Sequence, residues 1–412
     1  MPIEIKMAWR NIWRNARRSV LTILAIIFAT MLLVFMLSFQ FGSYDIMIDT
    51  AVKIHTGHVQ VQAEDYRDKM DIRLVVPDPG AVDDIIKDIP DIEAYTSRAN
   101  AFSLVSSSDR TYGVLLTGID PEKEAAVSTL KELVRRGEYL EQSDTDKALL
   151  GELLARNLKV DIGDELIVLG QGRDGSIAAT VLTVKGIFSS GQDKFDRNSV
   201  QMPLEYFQDV FSMRGSVHEV VVVGNSLKKV TKTKEELEAG VRNIDNDGNL
   251  AVLDWMELMP GIIQSIKLDL VSGLIMYVIL IVVVAFSILN TFLMAIFERT
   301  REFGVLIAIG MTPGRLMRSL FLESMTITLI GIILGIISGS LITWYYQVHG
   351  IMISGASELL SQYGLPERMY PQLSVLSLSV GTGIVLIITI LTAIYPILKV
   401  RRLKPVEAMT AV

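Results

Sequence analysis

Four stretches of this chain are too long and too evenly apolar to be core strands, and as membrane-crossing helices they set the terms for everything else. A helix needs about 20 apolar residues to cross roughly 30 Å of hydrocarbon. The first stretch is uncharged from Ser19 to Tyr44, with its apolar centre at Val20–Phe41. The second is uncharged from Leu270 to Phe297, the third runs from about Met325 to Tyr346, and the fourth from about Leu373 to Leu398. The second exceeds one bilayer, since its 28 residues make about 42 Å of helix, so it projects as a stalk or tilts. Composition agrees, with 50% of the 412 residues hydrophobic and a mean hydropathy of +0.40.

Charge orients the spans. Lys6, Arg10, Arg14, Arg17 and Arg18 precede the first. Arg299, Arg301, Arg315 and Arg318 lie between the second and third, and Lys399, Arg401, Arg402 and Lys404 follow the fourth. Between the third and fourth stands only Arg368. The positive-inside rule places both termini in the cytosol and the long segment between the first two spans outside. That segment, Ser43–Lys267, carries 38 acidic and 25 basic residues, whereas the rest of the chain carries 8 and 14. The resulting organisation is a cytosolic N-terminal helix (1–18), a first span (19–42), an external domain (43–267) and a C-terminal membrane domain (268–412). The fold class is therefore membrane α-helical, with four transmembrane helices and a large α+β extracytoplasmic domain inserted between helices 1 and 2.

The apolar run near the N-terminus is longer than the 7–15 residues of a signal-peptide core, and no A-x-A-like site follows closely, so it reads as an uncleaved anchor. Ahead of it, Ile5, Trp9 and Ile12 share one helical face, and Lys6, Arg10, Arg14 and Arg17 lie on another. This fits either a helix lying along anionic lipid or a plain basic flank with a tryptophan anchor.

The external segment alternates strand and helix patterns. Strands are expected at Ile54–Ala63, Thr111–Ile119, Glu165–Leu169, Ile177–Phe188, Val217–Val223 and Leu250–Leu253. Helices are expected at Ala81–Ile89, after Pro121, and at Gly151–Leu158, Pro203–Phe211 and Lys228–Arg242. About 225 residues of this kind can bury a core, expected as two lobes. Its chemistry is sparse. There is no cysteine, which excludes disulfides and thiolate chemistry. His55 and His58 form an H-x-x-H, but on a strand those positions face opposite sides, so no metal site is expected. His218 and His349 stand alone. No nucleophile elbow, Ca²⁺ loop or P-loop is present. The acidic balance is a solubilising surface and argues against nucleic acid.

Asp269, Glu298, Glu323 and Lys399 sit at span edges and no charge lies well inside a span, which argues against an ion-coupled carrier. Gly331, Gly335 and Gly339 form a stripe in the third span suited to close helix packing. The most informative segment is the cytosolic turn at 297–318. Glu298 and Glu302 fall one turn apart, as do Val305 and Ile309. Gly310 suits a C′ position, Thr312 an N-cap and Pro313 an N1. A rigid capped helix across the cytosolic face is what a peripheral motor would push against; it is equally a well-made interhelical turn.

In that turn, E-R-T-R-E-F-G-V-L-I-A-I-G-M-T-P-G-R-L (298–316) resembles the coupling segment of FtsX-like permeases of ABC transporters. The ending Y-P-I-L-K-V-R-R-L-K-P-V-E-A-M (395–409) is similar to the end of that domain. Ala8-Trp-Arg-Asn-Ile-Trp-Arg-Asn-Ala-Arg-Arg-Ser19 resembles the start of MacB-type and lipoprotein-releasing (Lol-type) permeases. Gly151-Glu-Leu-Leu-Ala-Arg-Asn-Leu-Lys-Val-Asp-Ile-Gly-Asp-Glu-Leu166 resembles an element of their periplasmic core domain.

The resemblance implies a type VII ABC permease of the inner membrane: a dimer, identical or with a paralogue, bound to two ATPase subunits. The partner ATPase would bind ATP and Mg²⁺, so this chain needs no cofactor and is no enzyme. Only six residues precede Met7, so the motor is expected on a separate chain. The same resemblance assigns Glu298, Arg299, Arg301, Glu302, Phe303, Gly304, Gly310 and Pro313 to contacting or shaping the ATPase interface. Overall size and Val184-Lys-Gly-Ile-Phe-Ser-Ser-Gly-Gln-Asp193 resemble permeases that release lipoproteins to a periplasmic chaperone. The connection Gly170-Gln-Gly-Arg-Asp-Gly-Ser176, however, is shorter than the hook that recruits that chaperone. Efflux of peptides or small amphiphiles, as in MacB, and control of a cell-wall hydrolase, as in FtsX, are the alternatives.

Overall fold

In the computed structural model, which describes residues 9–10, 12–14, 16–108, 110–245, 248–352 and 368–400, the chain divides into two units at Asp45/Ile46 and Ser265/Ile266. Ile5, Lys6 and the ending from Arg401 lie outside the described residues. The first unit holds the spans. Its long helices are Ala16–Ala51, Pro260–Glu298, Pro313–His349 and Val375–Val400, and among the described residues four segments are long and apolar enough to cross a membrane. The 39-residue second helix makes about 58 Å at helical rise, far more than one bilayer. Helices Ala16–Ala51 and Pro260–Glu298 have residues in both units.

The bundle core is built from Ile26, Leu33, Ile288, Phe292, Ile327 and Val385. Val271, Ile275, Ile279 and Val283, four residues apart along one face of the second helix, remain exposed for lipid. A buried hydrogen bond of 2.9 Å from Ser38 Oγ to Ser377 Oγ ties the first span to the fourth.

The inserted domain is built on a ten-stranded sheet. Its strands are β1 (Val59–Ala63), β2 (Ile92–Ser107), β3 (Arg110–Ile119), β4 (Val134–Gly137), β5 (Lys147–Gly151), β6 (Glu165–Gln171), β7 (Ile177–Phe188), β8 (Ser199–Pro203), β9 (Glu219–Gly224) and β10 (Leu250–Asp254). The pairing order is β10-β1-β9-β2-β3-β8-β5-β7-β4, and β6 pairs with both β2 and β7. That last pairing closes β2-β3-β8-β5-β7-β6 into a ring, and residues alternate in and out along each strand. Ala99, Ala101 and Val105 of β2, Leu166 and Val168 of β6, and Leu182 and Val184 of β7 fill the ring with Phe207 and Phe211. A second core lies along β1, β9 and β10, where Val82 and Ile86 of helix Pro79–Lys87 and Leu237 and Val241 of helix Val230–Ile244 pack on Val61, Val222 and Val252. The two lobes expected from the sequence are thus two cores on one continuous sheet.

One segment differs from expectation. The strand read at Ile54–Ala63 begins only at Val59; residues Val52–Thr56 form a π-helical turn ending at Gly57, whose φ of 70° turns the chain. The apolar residues Val52 and Ile54 are buried from that turn, so their alternation with polar neighbours reflects a helical turn and not a pleat. His55 and His58 therefore do not share a strand. His55 Nδ1 lies 3.2 Å from Arg98 Nη1, and His58 Nδ1 accepts the Gly224 N–H at 2.8 Å. Strands β2, β4, β5 and β8 were not anticipated. Of these, β2 mixes polar and apolar residues on a face that proves to be buried.

Candidate coupling site

The turn between the second and third spans is a helix of its own. Arg299 leaves helical geometry (φ −104°, ψ 5°), so helix Pro260–Glu298 ends there and helix Thr300–Ala308 begins at the next residue. The short helix closes in a Schellman motif. Met311 N donates to Leu306 O at 3.0 Å and Gly310 N to Ile307 O at 3.0 Å, with Gly310 at φ +106°. No atom stands within 4 Å of where a Cβ would be on Gly310, so its requirement is conformational and not steric. Pro313 opens the third span at its first turn, behind Thr312 in extended geometry. The Thr312 side chain makes no capping bond; its carbonyl accepts from Arg315 N and Leu316 N instead.

The residues singled out in sequence separate into two sets. Phe303 and Gly304 are buried, and Arg299 is only 7% exposed. Phe303 packs with Ile12, Leu316 and Leu320 in the bundle core, under the Arg299 guanidinium at 5.3 Å from its ring centre. Glu298 and Glu302 reach the N-terminal helix: Arg18 Nη1 donates to Glu298 Oε2 at 2.9 Å, and Arg14 Nη2 donates to Glu302 Oε2. Arg14 and Arg18 are one helical turn apart, as are the two glutamates, so the pairs stack in register. Burial alone would raise the Glu302 carboxyl, but the hydrogen bonds from Arg14 and Arg299 outweigh it and hold it below its ordinary value.

What faces away from the chain is Arg301, Val305, Ile309 (80% exposed), Gly310, Pro313 and Arg315. Glu323 was read from sequence only as a charge at a span edge. It is buried, and its carboxylate accepts from Arg299 Nη1 at 3.2 and 3.3 Å. Arg14, Arg18 and Glu323 were thus missed as members of the site. For Arg14 and Arg18 the matching four-residue spacing was a usable signal.

The glycine stripe lies against the first span. A Cβ on Gly331 would come 2.7 Å from Ile26 Cγ2, one on Gly335 2.6 Å from Thr30 Cβ, and one on Gly339 3.2 Å from Met31 Cα. In the inserted domain, the outer wall of the ring carries an uncovered apolar surface. Phe102 and Leu104 of β2, Ile167 and Leu169 of β6 and Ile177 and Val181 of β7 are exposed, with Leu104 opposite Leu169 and Ile167 opposite Val181.

Comparison with known proteins matches residues 19–239 to the MacB-like periplasmic core domain and residues 274–405 to the FtsX-like permease C-terminal domain. The chain is 25% identical to the lipoprotein-releasing system transmembrane protein LolC of Xylella fastidiosa over 73% of this chain and 74% of that protein. It is 22% identical to the pyoverdine export ATP-binding/permease protein PvdT of Pseudomonas fluorescens, over 99% of this chain but 59% of that protein. An uncharacterized ABC transporter permease of Methanocaldococcus jannaschii is 21% identical over 82% of this chain and 83% of its own length. Among solved structures, the periplasmic region of MacB from Actinobacillus actinomycetemcomitans aligns with a TM-score of 0.39 and 12% identity, covering 54% of this chain and 97% of that one.

Proposed function

Because this chain belongs to the MacB/FtsX-type permeases of ABC transporters, we propose that it converts the strokes of a partner ATPase into motion of its inserted domain, and that the work done is release of lipoproteins from the membrane. Permeases of this family act with an ABC ATPase and in dimeric arrangement. Both termini and the helix Thr300–Ala308 face the cytosol in this reading, and the inserted domain faces the periplasm, as the basic flanks require. The ATPase meets the exposed edge of Arg301, Val305 and Ile309, while Arg299, Phe303 and Gly304 fix the helix behind that edge. ATP and Mg²⁺ belong to the partner.

The observation that carries the lipoprotein reading is the uncovered apolar wall of Phe102, Leu104, Ile167, Leu169, Ile177 and Val181. It lies in a chain that is 25% identical to a Xylella fastidiosa protein named for lipoprotein release. An apolar surface of this kind on a soluble-facing domain marks a contact site, and acyl chains are the apolar part of such a cargo. The connection between β6 and β7, Gly172–Ser176, is short, which counts against docking of a periplasmic chaperone through that loop. The test is reconstitution of the chain with its ATPase in proteoliposomes containing a triacylated protein, with ATP-dependent appearance of that protein in the soluble fraction. No release, together with export of a small amphiphile, would establish the second reading. That reading is supported by the match of the whole chain to a pyoverdine exporter.

A further inference from the structure

The charged groups around Arg299 form a chain that crosses from one element to the next. Arg299 is the single non-helical residue between helix Pro260–Glu298 and helix Thr300–Ala308. Its guanidinium is held from two sides. Nε donates to Glu302 Oε2 at 3.3 Å, and Nη1 donates to both Glu323 oxygens, the shorter contact being 3.2 Å. Glu302 Oε2 in turn accepts from Arg14. One carboxylate therefore lies on the short helix and the other inside the third span, and the arginine at the joint links both.

Arg299 and Glu323 are both buried, beside a cleft lined also by Arg18, Thr22 and Ser324. A buried ion pair is weak evidence for stability, because desolvation offsets much of the attraction; its best-attested use is to specify one arrangement among several. Here the arrangement in question is how the joint at Arg299, and the short helix that starts from it, sit against the third span.

We propose that Glu323 is a positioning residue for motor coupling: by holding Arg299 at the joint, it makes the third span follow the helix Thr300–Ala308 when the ATPase moves it. The proposal rests on the reading of that helix as the motor's contact. Glu302, shared by Arg14 and Arg299, brings the N-terminal helix into the same unit. With Nη1 shared between both Glu323 oxygens and Nε on Glu302, the guanidinium is tied to two elements at once, which resists rotation as well as separation.

The chain contains no cysteine, so introduced cysteines label uniquely. Spin labels at Ala308→Cys and Leu341→Cys, both exposed positions, would report the distance between the short helix and the far part of the third span. The measurement is made on the full chain with its ATPase in nanodiscs, without nucleotide and trapped with ATP and vanadate. The unmodified pair should show a nucleotide-driven shift in the distance distribution. Glu323→Gln, nearly isosteric, should reduce the shifted population at least fivefold while the ATPase still co-purifies. The exchange Arg299→Glu with Glu323→Arg should recover at least half of it.

A shift of unmodified size in Glu323→Gln would overturn the proposal. So would an exchange variant that assembles with the ATPase but stays as defective as the single change. If Glu323→Gln failed to assemble, the exchange variant alone would decide, by the presence or absence of the shift. Failure of the lipoprotein reading would leave these results untouched, because no cargo is present. No shift in the unmodified complex would sink the coupling reading, and the proposal with it.

Discussion

Arg98 and Glu124 form a bidentate ion pair shut off from solvent in the inserted domain. Nε donates to Oε2 at 2.9 Å and Nη2 to Oε1 at 2.7 Å, with the two side chains 0% and 2% exposed. Arg98 stands on the outer wall of the strand ring in β2, and Glu124 comes from the helix Pro121–Val127, which Asp120 caps through Glu122 N and Lys123 N. The pair fastens that helix to the sheet. The third guanidinium nitrogen donates to the His55 carbonyl, so the π-helical turn is held at the same point.

Removing one member of such a pair leaves a buried, uncompensated charge, which costs about 3–5 kcal/mol. Glu124→Ala should therefore loosen this part of the domain far more than a surface change would. Hydrogen exchange of β2 amides in the full chain should accelerate by roughly two to three orders of magnitude. Lys69→Ala, which removes an exposed i,i+4 pair with Asp65, should leave exchange nearly unchanged. Equal effects of the two changes would mean that the Arg98–Glu124 pair is not what holds the helix Pro121–Val127.

A pH dependence follows from His218. Its Nδ1 accepts the Asn100 N–H at 2.9 Å, its Nε2 donates to Ile72 O at 3.1 Å, and its ring stacks on Tyr66 with centroids 5.0 Å apart. These bonds use the neutral ring, and burial pushes its pKa down from 6.5 to about 4. The unfolded chain therefore binds a proton before the folded one does. The contribution to stability is fully present above the ordinary histidine value and is lost as pH falls from about 6.5 toward about 4, to a total of about 3 kcal/mol. Burial also lowers His58, which adds in the same direction. Glu219 acts oppositely: burial raises its carboxyl, so its contribution is present at low pH and fades as pH rises through the folded-state value. Protection of β9 amides, taken relative to the intrinsic exchange rate at each pH, should fall between about pH 6.5 and about 4, and His218→Gln should flatten that slope. An unchanged slope in the variant would assign the acid sensitivity elsewhere.

The third span should tolerate side chains unequally at its glycines. At Gly335 an added Cβ meets Thr30 Cβ at 2.6 Å and the Ile27 carbonyl at 3.0 Å, and the backbone oxygen cannot turn aside. Gly335→Val should cost about 1–3 kcal/mol or more through separation of the first and third spans. This should lower the melting temperature of the detergent-solubilised protein by several degrees. Gly383→Ala on the fourth span meets nothing within 4 Å and should be neutral or slightly stabilising, since it also raises helix propensity. Similar melting temperatures for the two variants would mean that the stripe does not set the spacing of these helices.

The parts of this architecture that sequence disclosed are those governed by short-range rules. Span lengths follow from hydropathy alone, and Gly310 and Pro313 announce their helix ends because one suits positive φ and the other lacks an N–H. What sequence hid depends on long-range pairing. Arg98 sits mid-strand in β2, where a charge reads as solvent-facing until helix Pro121–Val127 covers it. Closure of the ring through β6 requires pairing with β2, some sixty residues earlier, and no local pattern encodes that. Glu323 looked like a boundary charge because its partner Arg299 lies 24 residues away, across the connecting helix.

The apolar wall of the inserted domain gives a prediction that separates cargo handling from motor function. Ile177 is 81% exposed at the start of β7, and Ile167 and Leu169 of β6 lie on the same outer surface of the ring. With so much of its surface in water, Ile177 contributes little to the fold, so Ile177→Asp should leave stability within about 0.5 kcal/mol. It should also leave ATP hydrolysis by the assembled complex unchanged, since the residue lies in the inserted unit and the proposed ATPase contact lies in the other. If this surface receives acyl chains as proposed, a charge placed on it must be desolvated when cargo binds, at a cost of several kcal/mol. Release of a triacylated protein from proteoliposomes should therefore fall at least tenfold in Ile177→Asp and recover in Ile177→Leu. A parallel loss of ATPase activity would point to misfolding, and undiminished release would remove the apolar wall from the path of the cargo.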